Sequence, residues 1–268
     1  NNYVKFASFY WRIIRINSNG SIRMIYDGTG DHKNGESSTD RQYGTSQFNP
    51  NYNNNMYVGY MYTSGEAHGT GTSSIIKTNV DKFYTDKLSS YASKLDTNAG
   101  FCGDRSNLNG QSGVGTGTVT TYNKGYLRVV ESAPTLTCEN DSDYYTVASA
   151  SSGNKKLSYP IGLITADEVM LAGHAGGVFD GGFNHQKTNN GSYLVTGNPF
   201  WTMTPAGGYN PFGITYWGAS VFFVRGSSGG AIDDGVAHNA YGLRPVINLK
   251  ADVTITGSGT MTDPYVVA

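Results

Sequence analysis

Three short apolar runs near the end of the chain most constrain its fold. They are Phe200–Met203, Ala219–Val224 and Tyr241–Leu249, each rich in aromatic and β-branched residues and bounded by Gly, Pro, Asn or Asp. Runs of this kind are typical of β-strands, so we predict a buried sheet. Two polar loops rich in glycine and aromatic residues, Pro205–Gly218 and Arg225–Asn239, are predicted between the strands. Such loops on a rigid sheet are typical of recognition surfaces.

A β-hairpin is predicted at the start of the chain, over residues 3–27. Its second arm alternates with period two, which is typical of a half-buried strand. The pair Asn19-Gly20 between the arms favours the positive-φ turn that joins such strands. Residues 119–130 are predicted to form another hairpin or a pair of short edge strands. Residues 250–268 are predicted to form a small terminal hairpin or a linker to a next domain.

Two helices are predicted from apolar spacing and capping residues. Apolar side chains recur at spacings of three and four over residues 74–95, so they share one face of a core helix, with Ser73 or Ser74 as its N-cap. Thr165 and Glu168 match the capping box, in which each side chain bonds the other's backbone N–H. A short second helix is therefore predicted after Thr165.

The segment 28–72 carries few regular signals apart from a strand-like stretch at residues 56–62. Long irregular segments are uncommon in compact domains unless they are functional. The segment is therefore interpreted either as a flap over the sheet or as a surface excursion.

Charge and hydropathy exclude several classes of partner. The formal net charge is −1 and charged residues make up 15% of the chain, whereas nucleic acids and anionic membranes bind basic surfaces. No apolar run reaches the roughly 18 residues of a transmembrane helix. We therefore expect no nucleic-acid partner and no membrane-embedded segment. The chain opens without a basic and apolar leader, so we expect a fragment of a longer secreted protein.

The chain has two cysteines, Cys102 and Cys138. An even count in a chain of this composition favours a disulfide, which would stabilise the fold by about 4 kcal/mol in the chain-entropy model. The alternative is two buried free thiols. The spacing of the pair does not match a metal site.

Acidic residues occur in two clusters that could hold a cation. Glu139, Asp141 and Asp143 could bind Ca²⁺ together with carbonyl oxygens, or they form a solvated acidic loop. The pair Asp233-Asp234 leaves the same alternatives open. We favour the solvated loop in both cases and expect no bound metal.

Histidines give no catalytic pattern. All five lie in glycine-rich loops, and the chain contains neither HExxH nor GxSxG. His174 and His185 could share a metal across their loop, or they are exposed loop histidines. We therefore expect neither a cofactor nor enzymatic activity.

Several motifs spread over nearly the whole chain resemble one family. They are WRIIRIN with SIRMIYDG in Trp11–Gly28, FCGDR in Phe101–Arg105, Cys138 with Tyr145-Thr146, YPIGLITADEV in Tyr159–Val169, WTMTP in Trp201–Pro205, and GLRPVINL in Gly242–Leu249. The pattern is similar to surface modules of gut Firmicutes with a C-type-lectin-like fold. That fold also includes formylglycine-generating enzyme and the variable proteins of diversity-generating retroelements.

The resemblance implies a single α+β domain over residues 1–268 with a C-type-lectin-like fold of mixed or antiparallel sheets, two helices and long glycine-rich loops. In the retroelement proteins, the diversified side chains lie just ahead of the terminal strand, which corresponds to Ala206–Asn239 here. The oxidase activity needs two cysteines in the C-terminal part, and no cysteine follows Cys138. That activity is therefore not expected.

We predict a non-catalytic extracellular module that binds a ligand through Ala206–Asn239, helped by residues 174–192. Rigid aromatics interleaved with Gly and Asn favour binding, although some can instead fill the core. The predicted ligand-binding residues are Tyr209, Asn210, Tyr216, Trp217, Ser220, Phe222, Arg225, Asp233, Asp234 and His238. The expected partner is a protein or carbohydrate on another cell surface, bound by a monomeric domain on a cell or phage particle. The alternatives are a carbohydrate adhesin of fixed sequence, an enzyme and a structural spacer.

Overall fold

The computed structural model describes residues 1–108, 121–147, 152–174, 189–208 and 218–268, with the backbone of residues 178–179 and 182–183. Within these ranges the helices are α1 (Ile75–Lys87), α2 (Lys124–Glu131) and α3 (Ala166–Leu171). Sheets make up most of the remaining regular structure, so the predicted α+β class is confirmed. None of the helices in these ranges is long and apolar enough to cross a membrane.

The strands form two large sheets and three two-stranded ladders. In chain order they are β1 (Tyr3–Phe6), β2 (Phe9–Ile16), β3 (Ile22–Gly28), β4 (Thr45–Gln47), β5 (Met61–Tyr62), β6 (Thr72–Ser73), β7 (Phe101–Cys102), β8 (Thr121–Tyr122), β9 (Tyr144–Tyr145), β10 (Ile161–Gly162), β11 (Val178–Phe179), β12 (Gly182–Phe183), β13 (Phe200–Gly208), β14 (Ser220–Val224), β15 (Ile232–Val236), β16 (Ala240–Gly242), β17 (Val246–Leu249), β18 (Ile255–Thr256) and β19 (Tyr265–Val267). Short 3-10 turns occupy Thr39–Arg41, Asn55–Val58, Ser89–Lys94, Asp141–Asp143 and Ser228–Gly230.

The first large sheet has the strand order β10-β17-β3-β2-β1-β19-β18. Its centre is the predicted N-terminal hairpin, in which Trp11 pairs with Tyr26 and the turn glycine Gly20 has a φ of +83°. The predicted terminal hairpin is also present as β18 and β19. Strand β19 pairs in parallel with β1, so the first and last strands of the chain lie side by side.

The second large sheet has the order β15-β14-β13-β16-β4, and β8 also pairs with β13. The predicted loop Arg225–Asn239 is wrong over Ile232–Val236, because these residues form the antiparallel edge strand β15. A strand at the edge of a sheet tolerates polar side chains. Asp233, Asp234 and Gly235 can therefore belong to β15 although their sequence is not typical of a strand.

The apolar run Tyr241–Leu249 was predicted as one strand, but it contributes to both large sheets. It forms β16 in the second sheet and β17 in the first, and the residues between them connect the sheets. Pro245 lies in this connection, and proline has no N–H to donate to a ladder. One continuous apolar run therefore spans two strands.

The predicted long helix is shorter than its apolar spacing suggested. Ser74 caps α1 as predicted, because its side chain accepts a hydrogen bond from the Lys77 N–H at 3.3 Å. The helix ends at Lys87 and a 3-10 turn follows. Leu88 and Leu95 are nevertheless fully buried, so the periodic pattern spans two consecutive elements.

Residues 121–130 do not form the hairpin predicted over 119–130, of which residues 119 and 120 lie outside the described ranges. Only Thr121–Tyr122 is a strand, and helix α2 begins at Lys124. Val129 is fully buried and Gly125 packs against Thr204 of β13. Tertiary packing thus outweighs the preference of β-branched valines for strands.

The capping box of α3 is confirmed. The Thr165 hydroxyl accepts from the Glu168 N–H at 3.1 Å, and the Glu168 carboxylate accepts from the Thr165 N–H at 3.0 Å. The helix is short and Ala172 follows its last residue. Glu168 is buried, and its carboxylate also binds the guanidinium groups of Arg15 and Arg23.

Aromatic side chains fill the core between α1 and the first sheet. The ring of Phe83 lies 6.2 Å from Trp11, 5.6 Å from Tyr26 and 4.7 Å from Tyr43, measured between centroids. The second sheet has its own aromatic centre at Trp201, whose indole N–H donates to the Ser46 carbonyl at 2.8 Å. Edge-to-face rings and a satisfied indole are both favourable in a core.

Asp27 at the end of β3 is fully buried and binds three buried arginines. Its carboxylate lies 3.3 Å from Arg12, 2.7 Å from Arg41 and 2.8 Å from Arg244. Burial lowers the pKa of Arg244 to about 9 even though the Asp27 charge opposes this shift. Arg244 lies in the connection between the sheets, so the cluster joins this connection to the N-terminal hairpin.

Replacement of Asp27 by Asn should lower the free energy of unfolding by about 3–5 kcal/mol, because it leaves buried guanidinium groups without a counter-charge. Urea unfolding followed by circular dichroism measures the change. The control Asp86→Asn removes an exposed partner of Lys82 on α1 and should change stability little. Equal effects of both substitutions would contradict the assigned role of Asp27.

The irregular segment 28–44 is fixed to the rest of the fold by Arg41. Its guanidinium donates to the carbonyls of Glu36 at 2.6 Å, Val195 at 3.1 Å and Tyr193 at 2.8 Å, in addition to Asp27. The stretch predicted as strand-like at residues 56–62 forms a 3-10 turn followed by β5. The first part of this long segment is therefore held by buried hydrogen bonds.

His32 in the same segment lies between two carboxylates. Its Nδ1 is 2.9 Å from Glu36 Oε1 and its Nε2 is 2.9 Å from Asp40 Oδ1. Only the protonated imidazolium can donate to both. Burial lowers the pKa of His32, but the hydrogen bonds to Glu36 and Asp40 outweigh burial and raise the pKa above its ordinary value.

The His32→Gln substitution should destabilise the protein most at acidic pH. A raised folded-state pKa contributes stability that is present below the unfolded pKa of about 6.5 and is lost as pH rises through the folded value. The difference in unfolding free energy between the two proteins should therefore shrink at alkaline pH. Urea titrations over a pH series measure it, and a difference that does not vary with pH would contradict the charged contact.

Candidate ligand surface

Strands β13 and β14 pair antiparallel, and residues 209–217 between them lie outside the described residues. Gly207 pairs with Ser220, and the Ser220 hydroxyl donates to the Gly207 carbonyl at 2.7 Å. Every residue from Ser220 to Val224 is buried. The predicted residues Tyr209, Asn210, Tyr216 and Trp217 lie outside the described residues. Both flanks of the segment are thus fixed by the sheet.

An aromatic pair lies at each flank of this segment. On the side of Gly218, Tyr52 is 41% exposed and its ring packs against His238, with centroids 4.3 Å apart and planes tilted by 36°. The Ala219 N–H donates to the Tyr52 carbonyl at 2.6 Å, which fixes Tyr52 against the hairpin. On the other side, β8 pairs with Gly207 and Gly208.

The second aromatic pair consists of Tyr122 and Tyr126, whose ring centroids are 4.3 Å apart. Tyr122 belongs to β8 and Tyr126 to the first turn of α2. Both rings are half-buried. We refer to the two aromatic pairs, together with the polar residues of and just after β14 and β15, as the hairpin surface, which comprises Tyr52, Tyr122, Tyr126, Arg225, Asp233, Asp234 and His238. Arg225 and Asp233 lie toward the Val224 end of β14, away from Gly218 and the aromatic pairs.

The remaining predicted ligand residues divide into buried and accessible ones. Phe222 is 0% exposed and Ser220 is 7% exposed, so neither offers appreciable surface to a ligand. Arg225 is accessible, and its Nε and one terminal nitrogen both donate to Oδ2 of Asp233. His238 is half-buried, and its Nδ1 has no hydrogen-bond partner among the described residues.

Asp234 is the electrostatically strained residue of the hairpin surface. Burial, and then the charge of Asp233, raise the pKa of Asp234 to about 6. A hydrogen bond with the Ser220 side chain partly offsets this rise in the pKa of Asp234. The charge of Asp234 in turn contributes to a raised pKa of Tyr126. A carboxyl group whose pKa is raised by burial and by a neighbouring charge is typical of functional sites.

The Asp234→Asn variant should unfold at a higher free energy than the parent above about pH 6, by on the order of 1–2 kcal/mol. The raised pKa means that stability is present while Asp234 is protonated and is lost as pH rises through about 6. Below about pH 4 the two proteins should be equally stable. Thermal unfolding at both pH values measures this, with Asp252→Asn as an exposed control that should have no effect at either pH.

A serine–histidine pair lies close to the hairpin base but is closed to solvent. His174 Nε2 is 2.6 Å from the Ser192 hydroxyl, and His174 Nδ1 is 2.9 Å from the Gly230 carbonyl. His174 is 3% and Ser192 is 4% exposed, and burial lowers the pKa of His174. The imidazole of His174 therefore connects Ser192 to Gly230 inside the protein. His185, which was considered as a metal partner of His174, lies outside the described residues.

The acidic cluster predicted at residues 139–143 is divided among different partners. Asp143 is buried and binds Arg105 at 2.6 Å and His68 at 2.7 Å. Glu139 pairs with Lys124. Across the ranges that the structure covers, no group of three or more His, Cys, Asp or Glu residues is arranged to hold a metal ion.

A polar cleft of about 630 Å³ lies beside the disulfide. Its walls come from the ends of β2 and β3, from α2, from the start of α3 and from residues 135–138. The disulfide Cys102–Cys138 is present as predicted, with a Cα–Cα distance of 5.6 Å, and both cysteines line the cleft. The charged lining residues are Arg15, Arg23, Asp104, Arg128, Asp141, Asp167 and Glu168.

One wall of the polar cleft is organised by Glu168. Its carboxylate binds the buried Arg23 at 2.5 Å and the partly exposed Arg15 at 3.0 Å. Burial raises the pKa of Glu168, but the charges of the two arginines outweigh it and lower the pKa below the ordinary value. Arg23 also donates to the carbonyls of Gly100 and Leu163, both at 3.3 Å.

A second wall of the cleft is organised by Arg128 of α2. Its Nε donates to Asp167 at 2.8 Å and its NH1 to Asp104 at 2.9 Å. The Thr135 N–H donates to the same Asp167 carboxylate at 3.0 Å. Asp167 is adjacent to Glu168 in α3, so neighbouring residues of one helical turn anchor the two walls.

Sequence reasoning located part of the hairpin surface and missed the rest. Tyr52, Tyr122 and Tyr126 precede the predicted segment by 80 or more positions and approach it only through strand pairing and packing. The polar cleft was not predicted either, because its arginines and carboxylates come from six separate stretches of the chain. No spacing rule relates such residues before the fold is known.

Comparison of the chain with protein-family models, with curated proteins and with solved structures finds no match in any of the three sets.

Proposed function

We propose that this chain is a non-catalytic extracellular ligand-binding module whose ligand contacts the hairpin surface and residues 209–217. The observation that carries the proposal is the pair of aromatic clusters at the two flanks of one rigid hairpin. Rigid aromatic side chains lose little conformational entropy on binding and dominate interface energetics. A buried sheet below them tolerates changes in the loop without loss of the fold.

The proposed scaffold is a C-type-lectin-like fold of the kind found in variable proteins of diversity-generating retroelements. Support comes from the order of elements, namely an N-terminal hairpin, helices, a disulfide and a late sheet. The position of residues 206–239 just ahead of the late strands β16 and β17 also supports this proposal. A protein or carbohydrate on another cell surface is the proposed ligand.

Sequencing of this gene across a natural population should reveal substitutions concentrated in codons 206–239 at the accessible positions, chiefly in adenine-containing codons. Buried positions of the same hairpin, Val221 to Val224, and the helix α1 serve as internal controls and should vary little. Variation no higher at the accessible positions than in α1 would mean that the surface is fixed, and the diversified form of the proposal would then be wrong.

A fixed carbohydrate adhesin is the second candidate, and the exposed ring of Tyr52, held against His238, favours it, since sugar rings pack on exposed aromatic faces. A glycan and protein array would identify the ligand. Tyr52→Ala should then weaken binding about tenfold or more with little change in melting temperature. Tyr91→Ala is a matched control, because Tyr91 is 36% exposed and belongs to a different surface. Equal losses from both variants would contradict the hairpin surface.

A further inference from the structure

We propose that the polar cleft binds a small zwitterion of the free α-amino acid class, with Arg15 holding the carboxylate and Asp141 the ammonium group. Arg15 and Asp141 both line the cleft. This site is separate from the hairpin surface, because α2 presents Arg128 to the cleft and Tyr126 to Tyr122. The proposal therefore does not depend on the function proposed above.

The wall around Glu168 carries an excess positive charge. Arg15 and Arg23 contribute two positive charges, and Glu168 is the one carboxylate that the described residues place against them. Arg23 is buried and already donates to Glu168 and to two carbonyls. The excess charge is therefore available to a ligand chiefly at Arg15, whose side chain is 29% exposed.

The wall around Arg128 carries an excess negative charge. Asp104 and Asp167 face a single guanidinium, and both carboxylates are nearly buried. Asp141 lines the same cleft and is exposed. The cleft as a whole thus presents both positive and negative charge, which complements a ligand with both charges rather than a simple anion or cation.

Arg15 and Asp141 also retain unused hydrogen-bonding capacity. Within the described ranges, Arg15 donates only through Nε, to Glu168 at 3.0 Å, so its two terminal nitrogens have no protein acceptor. The Asp141 carboxylate accepts no hydrogen bond from any described residue, whereas its neighbours Glu139 and Asp143 are both paired. A guanidinium binds a carboxylate through two parallel hydrogen bonds, and a carboxylate binds an ammonium group through charge-assisted ones.

The size and polarity of the polar cleft fit the same class of ligand. Its volume of about 630 Å³ is ample for a single amino acid. Asn17, Asn98 and Thr137 add amide and hydroxyl groups to the lining, and Leu136 at 52% exposure adds an apolar surface. An apolar ligand would strip water from charged walls without replacing the lost hydrogen bonds, which is unfavourable.

The test is isothermal titration calorimetry of the intact chain with the common L-amino acids, one at a time. For any amino acid that binds, the α-carboxamide lacks the carboxylate and the N-acetyl derivative lacks the ammonium group. Each derivative should bind about tenfold to a hundredfold more weakly, the effect of losing one charged hydrogen-bonded contact. No measurable binding of any amino acid, or equal binding of the capped forms, would overturn the proposal.

Two variants assign the contacts. Arg15→Gln should weaken amino-acid binding and remove the penalty for the carboxamide, while Asp141→Asn should remove the penalty for the N-acetyl form. Asp141 forms no ion pair in the described structure, so its variant tests the site without a folding defect even if Arg15→Gln is unstable. Lys82→Gln and Asp252→Asn are controls of matched charge at exposed positions outside the polar cleft, and both variants should bind like the parent. Unchanged binding by Asp141→Asn would overturn the assignment.

The same titration separates this site from the hairpin surface. Tyr52→Ala should bind amino acids as the parent does, because Tyr52 lies outside the polar cleft. A loss of amino-acid binding in Tyr52→Ala, with Asp141→Asn unaffected, would overturn the cleft as the site.

Discussion

The contact between Asp27 and three arginines is the interaction on which the rest of the structure depends. One carboxylate binds guanidinium groups from β2, from the segment after β3 and from the connection between the two sheets. Three guanidinium groups face one carboxylate, so Asp27 leaves two positive charges unbalanced. Burial disfavours the charged form of Arg244. Buried charges are costly unless they are paired and hydrogen-bonded, so the cluster tolerates few alternative arrangements of these segments. Its contribution is therefore to the uniqueness of the fold as much as to its stability.

Local signals in the sequence predicted the elements whose structure is decided locally. The period-two pattern and the Asn-Gly turn predicted the β2–β3 hairpin, and the capping box predicted α3. The predictions of secondary structure were wrong where tertiary contacts determine the conformation of a segment. The polar edge strand β15 resembled a loop, the valines of α2 resembled a strand, and Tyr241–Leu249 crosses between two sheets.

The candidate sites show the same division. Arg225, Asp233, Asp234 and His238 were found because they lie within one segment that the resemblance singled out. Phe222 was predicted from the same segment, but its side chain is buried. Side chains of a strand alternate between two faces, and both faces of β14 are covered by the protein. Residues of the polar cleft are too far apart in sequence for any local pattern to unite them.

The parallel pairing of β1 with β19 has a mechanical consequence. A pull on the start of β1 and the end of β19 in opposite directions acts along the strands, so the hydrogen bonds between them are loaded together. Hairpin strands pulled apart from one end instead open one bond at a time. Resistance to such a pull is set by the rate of forced unfolding rather than by equilibrium stability. Tension applied through these two strands would therefore load their hydrogen bonds in shear. The hairpin surface lies at the second sheet and would be outside the direct line of force.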